Sequence, residues 1–247
     1  MINALICGIN GKMGKTLTEL IGNDENIRVA CGVDLAEKEG LPPVYASFNG
    51  VKESVDVIID FSSPAVLTDE LAWAVKHGCP VVLAATGYTS EQLKEISDAS
   101  KKIAVFKTGN FSVGINLLMK LVKQAAQTLD NFDVEIIEKH HNQKADAPSG
   151  TALMLADSVN AAYSGGKPLV KGRDGIVGKR GNEIGIHAVR GGTIVGEHEV
   201  MFAGEDEIIT ISHSARSKRI FAAGAIKAAK WLSGKGAGLY DMSDVLG

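Results

Sequence analysis

The sequence is short of the features that mark secreted, fibrous and membrane-spanning chains. Its 247 residues include only 3 Cys, and Cys7, Cys31 and Cys79 stand apart in apolar or strand-like contexts, with no CxxC pair. That spacing excludes a disulfide framework and the common zinc motifs and reads as reduced core thiols. Proline is scarce at 6, and the 28 Gly follow no period, which excludes collagen-like and low-complexity classes. No apolar run approaches the roughly 18–20 residues that a bilayer span requires. The opening MINALICGINGKMG passes straight from an apolar run into a glycine turn, without the parts of a secretory signal. A cytoplasmic location is expected. Charge is nearly balanced, 26 Lys and Arg against 29 Asp and Glu, a net −3. No block of like charge forms a nucleic-acid arm or a membrane patch, so neither is an expected partner.

What is present is a globular composition, 45% hydrophobic and 22% charged, long enough for one large domain or two modest ones. Ile2 to Cys7 reads as a strand, and Leu17, Leu20 and Ile21 recur at helical spacing after the glycines. Further strands are expected at Ile27 to Val33, Val55 to Phe61, Pro80 to Ala85 and Ile103 to Lys107. The dense β-branched run Val55 to Phe61 suits a strand buried on both faces of a parallel sheet. Helices are expected between them. One runs from Pro64 to His77 with Ser63 as its cap, and one to Ser100 opens on a Thr89/Gln92 capping box. Strand–helix alternation of this length predicts a doubly wound, Rossmann-type parallel sheet.

After Asn110 the pattern changes. A long amphipathic helix from Val113 to Leu129, a strand from Val134 to Glu138 and a helix from Thr151 to Tyr163 precede three alternating strands joined at Gly191-Gly192 and Gly204-Glu205. Those strands read as an antiparallel meander, and residues 164–183 as an exposed loop. The helix from Arg219 to Leu232 is apolar on one face and suits a return to the first domain. The fold class expected is α/β: an N-terminal Rossmann-type domain, residues 1–110 with 219–247, and an α+β domain, 111–218, with a mixed, largely antiparallel sheet.

Two segments carry chemistry. Gly8-Ile9-Asn10-Gly11-Lys12-Met13-Gly14 follows a strand and opens a helix, where glycines let the backbone approach a pyrophosphate at the positive end of the helix dipole. Its GxxGxxG spacing is a variant of the common GxGxxG. Asp34 ends the second strand about 20 residues on, where an acidic side chain binds the adenosine ribose hydroxyls, so a dinucleotide is expected. Lys12, Lys15 and Lys38 stand near in sequence, either to offset Asp34 toward a 2′-phosphate or as solvated surface charge. The second segment is Glu138 to Thr151. His140, His141 and Lys144 lie within five positions after a strand, supplying groups that exchange protons near neutral pH. A metal reading lacks third and fourth ligands. Ser149-Gly150-Thr151 opens the next helix, a cap and also a carboxylate-sized anion site.

The run Glu135-x-x-Glu138-x-His140-His141-x-x-Lys144-x-Asp146-Ala147-Pro148-Ser149-Gly150-Thr151-Ala152 resembles the signature of the 4-hydroxy-tetrahydrodipicolinate reductase (dihydrodipicolinate reductase) family. The resemblance extends over the whole chain, through Asp60-Phe61-Ser62, Ala84-Ala85-Thr86-Gly87, Asn110-Phe111-Ser112, Gly196-Glu197-His198 and Gly238-Leu239-Tyr240. It implies an NADH- or NADPH-dependent reductase of a small cyclic dicarboxylate in lysine biosynthesis, working as a homotetramer. It also implies catalytic roles for His140 and Lys144, and substrate contacts from His141, Gly150 and Thr151. The cofactor would be held by Gly8, Ile9, Asn10, Gly11, Lys12, Met13, Asp34, Ala84, Ala85, Thr86, Thr108, Gly109, Asn110 and Phe111. Two departures stand out. The family turn more often reads Gly-Thr-Thr-Gly, where Ala84-Ala85 stand here, and Leu35 replaces the Arg that some members place after the acidic residue, which argues against strict NADPH use. The rival class is a Rossmann sensor of NADH without catalysis, which has no need of the His140–Lys144 cluster.

Overall fold

The computed structural model describes residues 1–37 and 42–247, which divide into two compact units: Met1–Phe111 with Arg219–Gly247, and Ser112–Lys218. In chain order the first unit opens with β1 (Ile2–Cys7), α1 (Lys12–Ile21), β2 (Ile27–Val33), β3 (Val44–Tyr45) and β4 (Val57–Asp60). It continues through α2 (Leu67–His77), β5 (Val81–Leu83), α3 (Ser90–Ser100) and β6 (Ala104–Lys107). The second unit holds α4 (Val113–Thr128), β7 (Asp133–His140), α5 (Gly150–Asn160), β8 (Leu169–Lys171), β9 (Ile184–Arg190), β10 (Gly196–Ala203) and β11 (Ile208–Ala215). The chain then returns to the first unit as α6 (Arg219–Leu232), β12 (Gly238–Tyr240) and α7 (Met242–Leu246).

The first sheet is parallel, in the order β12-β6-β5-β4-β1-β2-β3. Strands β1, β4 and β5 are apolar and almost wholly buried, as a sheet covered by helices on both faces requires. On one face Leu67, Leu71 and Ala74 of α2 and Ile96 of α3 pack over Leu5, Ile58, Val81 and Val105. α6 packs against α1 and against β4, β5 and β6. Its Gly224 lies so close to Phe111 that a Cβ there would stand 1.7 Å from the Phe111 carbonyl oxygen. Cys7, Cys31 and Cys79 are free and buried.

The doubly wound sheet and the second mixed sheet are the fold class expected, but several local expectations need correcting. Phe111, assigned to the second domain, belongs to the first unit, where its ring packs against Phe61 and Phe106. Pro64–Val66 forms a 3₁₀ turn, and the α-helix starts only at Leu67, because the i→i+3 bond from Val66 N–H to the Ser63 carbonyl closes a tighter turn; the Ser63 side chain caps nothing. The short strands β3 and β12 had no detectable period. The loop 164–183 contains β8, which adds a parallel edge to β9. The meander is only partly one: β10 and β11 form an antiparallel hairpin, whereas β7 lies between β9 and β10, parallel to the first and antiparallel to the second.

The second unit packs its core from Leu118 and Val122 of α4, Leu155 and Val159 of α5, and Val134, Ile136, Ile184, Val200 and Phe202 of the sheet. Ser112 caps α4 by accepting from Ile115 N–H, and Ser149 caps α5 by accepting from Ala152 N–H, each satisfying a first-turn amide.

Candidate active site

The parallel register brings one row of strand ends together in the first unit. Cys7 aligns with Val33 and Asp60, Asp60 with Leu83, and Leu83 with Lys107. The residues that follow, Gly8, Asp34, Phe61, Ala84 and Thr108, therefore stand along one edge, the carboxyl edge where open parallel sheets bind ligands. There a cleft of about 300 Å³ is lined by Cys7, Gly8, Gly11, Asp34, Leu35 and Ser62, among others. Gly8 takes φ +78°, and a Cβ on it would meet the Ser62 backbone at 3.1 Å, so the residue must be glycine on both counts. Gly11 opens α1 with no side-chain cap, which leaves the first-turn amides to an outside acceptor.

Asp34 is held in place at the cleft. One of its oxygens accepts from Asn10 N–H at 2.8 Å and the other from Leu35 N–H at 2.7 Å. Beneath lies a group that sequence reasoning gave no role. Asp60 is 1% exposed, and its carboxylate accepts from the Ser62 amide and hydroxyl. Burial raises the Asp60 carboxyl and the Ser62 hydrogen bonds partly offset this. Ser62, Ser63, Ala46 and Val66 also line the cleft; nothing in their spacing marks them, since they converge from different strand ends. Lys12 and Lys15 are exposed on α1, and Lys38 lies outside the described residues. Thr108 and Asn110 bond each other after β6, with the Thr108 hydroxyl donating to the Asn110 carbonyl at 3.3 Å.

The second unit gathers the basic cluster at the end of β7. His140 is 8% exposed and its Nδ1 lies 2.6 Å from Glu138 Oε2. Glu138 is fully buried and accepts also from Ser149 N–H at 2.9 Å and from both Arg190 Nη atoms at 2.8 and 2.7 Å. Burial would lift the Glu138 carboxyl, but the hydrogen bonds from Arg190, His140 and Ser149 outweigh it and hold it below its ordinary value. The His198 ring stands edge-on to His140, centroids 5.1 Å apart, with Nε2 3.1 Å from the Ser149 hydroxyl. Burial first, and then the charge of His140, push His198 down to about 4.

His141, Lys144 and the start of α5 complete the cluster. The 141–144 turn is closed by Lys144 N–H donating to the His141 carbonyl, and Lys144 Nζ pairs with Asp146 at 2.7 Å. Gly150 is the first residue of α5, and a Cβ on it would meet nothing within 4 Å among the described residues, so packing there does not demand glycine. Thr151 follows in the same turn. Among the described residues no cluster of three or more His, Cys, Asp or Glu is arranged to hold a metal ion, and no helix is long and apolar enough to cross a membrane.

Two family models cover this geometry, one described as dihydrodipicolinate reductase, N-terminus, over residues 2–111, and one as dihydrodipicolinate reductase, C-terminus, over 114–246. The chain belongs to the dihydrodipicolinate reductase family. A 4-hydroxy-tetrahydrodipicolinate reductase of Caldanaerobacter subterraneus subsp. tengcongensis is 51% identical over 100% of this chain and 98% of its own. One of Clostridium novyi is 45% identical at the same coverages. A solved structure, dipicolinate-bound dihydrodipicolinate reductase from Paenisporosarcina sp. TG-14, superposes with a TM-score of 0.81 at 26% identity, covering 98% of this chain and 97% of the other. As a member of this family the chain is an oxidoreductase with an NAD(P)-type Rossmann fold. The family motif around His140 and Thr151 thus falls on one turn and one helix start, while Arg190, a further part of the cluster, is outside the motif and reaches it only through the β7–β9 register, His140 opposite Arg190.

Proposed function

We propose that the chain catalyses NAD(P)H-dependent reduction of 4-hydroxy-tetrahydrodipicolinate, by way of dihydrodipicolinate, to tetrahydrodipicolinate in the diaminopimelate route to lysine. The observation that carries this reading is the basic turn His140–Lys144 running directly into a helix start with an uncovered glycine. A cyclic imine dicarboxylate needs anion anchors at its two carboxylates and a proton donor at the ring. His141, the Gly150 amide and the Thr151 hydroxyl anchor the carboxylates, the amide with help from the helix dipole. His140 or Lys144 delivers the proton to the ring atom beside the reduced carbon.

The residues around the first-unit cleft fit a dinucleotide, since Gly8 and Gly11 leave room for a pyrophosphate and Asp34 is preset at a ribose. When bound, the nicotinamide supplies the hydride. Gly8 to Met13 hold the phosphates, and Ala84 to Thr86 with Thr108 to Phe111 line the nicotinamide end. The Asp34 carboxylate would repel a 2′-phosphate. Leu35, 96% exposed, brings no compensating charge, so NADH is used at least as readily as NADPH. The buried thiols suit a reducing, cytoplasmic compartment. The exposed Ile208 and Ile209 of edge strand β11 suit pairing between copies in a homotetramer.

The test is oxidation of NADH and of NADPH, in separate cuvettes, with dihydrodipicolinate synthase, pyruvate and aspartate semialdehyde generating the substrate. Synthase-dependent loss of absorbance is expected with NADH. Silence with both cofactors despite measurable cofactor binding overturns the reading in favour of a nucleotide sensor. His140→Gln and Lys144→Ala are each expected to lower kcat by about 10²-fold while leaving the NADH dissociation constant within about twofold.

A further inference from the structure

The pattern of donors around Glu138 fixes more than a position. Three of its four partners can only donate: the Ser149 amide and the two guanidinium nitrogens of Arg190. They fill the carboxylate from both sides and keep it ionised, so at the fourth contact, Nδ1 of His140 at 2.6 Å, the proton must sit on the ring nitrogen. The other nitrogen, Nε2, is then the one that gains and loses a proton. Its side of the ring is kept clear by Gly196, where a Cβ would come 3.1 Å from Nε2. The same carboxylate ties down the amide of Ser149 at the start of α5, and Arg190 donates to the Asp146 carbonyl at 2.7 Å, which holds the turn carrying Lys144.

We propose that Glu138 is a positioning residue for the reduction: it selects the Nδ1–H tautomer of His140 and leaves Nε2 as the proton-exchanging atom. The proposal rests on His140 being the proton-transfer group. It follows the logic by which a buried carboxylate orients a catalytic imidazole in other enzymes, where losing the carboxylate leaves the ring in the wrong tautomer. Arg190 makes the arrangement tolerable, because a lone buried carboxylate would be neutralised by protonation and could then present the wrong partner to Nδ1.

Glu138→Gln keeps the shape but replaces one acceptor oxygen with an NH₂ that faces donors. It is expected to lower kcat by about 10²-fold, with KM for the substrate and NADH affinity changed far less. Combined with His140→Gln, it is expected to cost almost nothing further, because a residue that acts through His140 has no effect once His140 is gone. Full turnover in His140→Gln alone removes the premise and leaves Glu138 without this role. A crippled His140→Gln beside a normal Glu138→Gln, or losses that multiply in the double variant, overturns the proposal while leaving the premise intact. Should Glu138→Gln fail to fold, the unmutated protein still decides: with histidine nitrogens labelled and the His140 signals assigned by their absence in His140→Gln, the neutral ring must show the Nδ1–H pattern, and an Nε2–H pattern overturns the assignment.

Discussion

Gly14 lies one turn into α1, where a Cβ would come 2.3 Å from the Gly8 carbonyl oxygen and 2.5 Å from the Ile9 Cα. Both obstacles are backbone, so neither can swing aside. Gly14→Ala is expected to cost about 1–3 kcal/mol of stability and to weaken NADH binding by pushing α1 off the Gly8 turn, which thermal denaturation and a fluorescence titration would measure. Glu70 makes the opposite case. It is fully buried on α2 and both carboxylate oxygens lack a partner among the described residues; burial, and then the nearby Asp60, raise its pKa well above the ordinary value. The folded state therefore holds that proton more tightly than the unfolded chain does. Stability is fullest below the ordinary carboxylate range and falls as pH rises from there toward the folded pKa. Glu70→Gln is expected to raise the thermal midpoint by a few degrees at pH 8, with the gain fading toward pH 4.

At the level of elements, the capping box of α3 is a local device: the Thr89 hydroxyl accepts from Gln92 N–H and the Gln92 side chain accepts from Thr89 N–H. Thr89→Ala should cost about 1 kcal/mol in a denaturant titration and leave kcat unchanged. Such devices are legible because every partner sits within four residues, and the glycine turn of α1 and the Ser149 cap were readable for the same reason. Pairing between strands is another matter. The alternation of Ile184, Ile186 and Ala188 marks β9 as a strand, yet nothing in it says that β7, some fifty residues earlier, takes the place beside it that β10 was expected to fill. Arg190 was missed for that reason: its guanidinium finds Glu138 only once the parallel register is set. β8 escaped because three residues are too few to show a period, and its neighbourhood is ordered instead by charge, with Arg173 and Arg180 both reaching Glu135.

At the scale of the molecule, acid should act chiefly on the second unit. His198 is 5% exposed and its pKa is depressed to about 4, below the ordinary histidine value, so the unfolded chain takes up its proton first. Its contribution is present in full above about pH 6.5 and declines as pH falls from there to 4, by about 3 kcal/mol. Glu135 follows. Burial would raise it, but Arg173, His187 and Arg180 outweigh that and bring it to about 2, so its share is lost only as pH drops from the ordinary carboxylate range toward 2. Denaturant titrations at pH 7 and 4.5 should show the first loss, and His198→Gln should flatten the difference between them.

The path of the chain also sets a timetable. Every strand and helix of the second unit lies between Ser112 and Lys218, while the first sheet is not finished until β12 pairs with β6 and α6 covers β4 and β5. On the ribosome the inserted unit has all its residues while the earlier one still waits for its last thirty or so, its central strands made and the α6 side of β4, β5 and β6 bare. A nascent chain halted just past Lys218 would carry a completed passenger on an open apolar sheet, the kind of surface that a ribosome-bound chaperone shields.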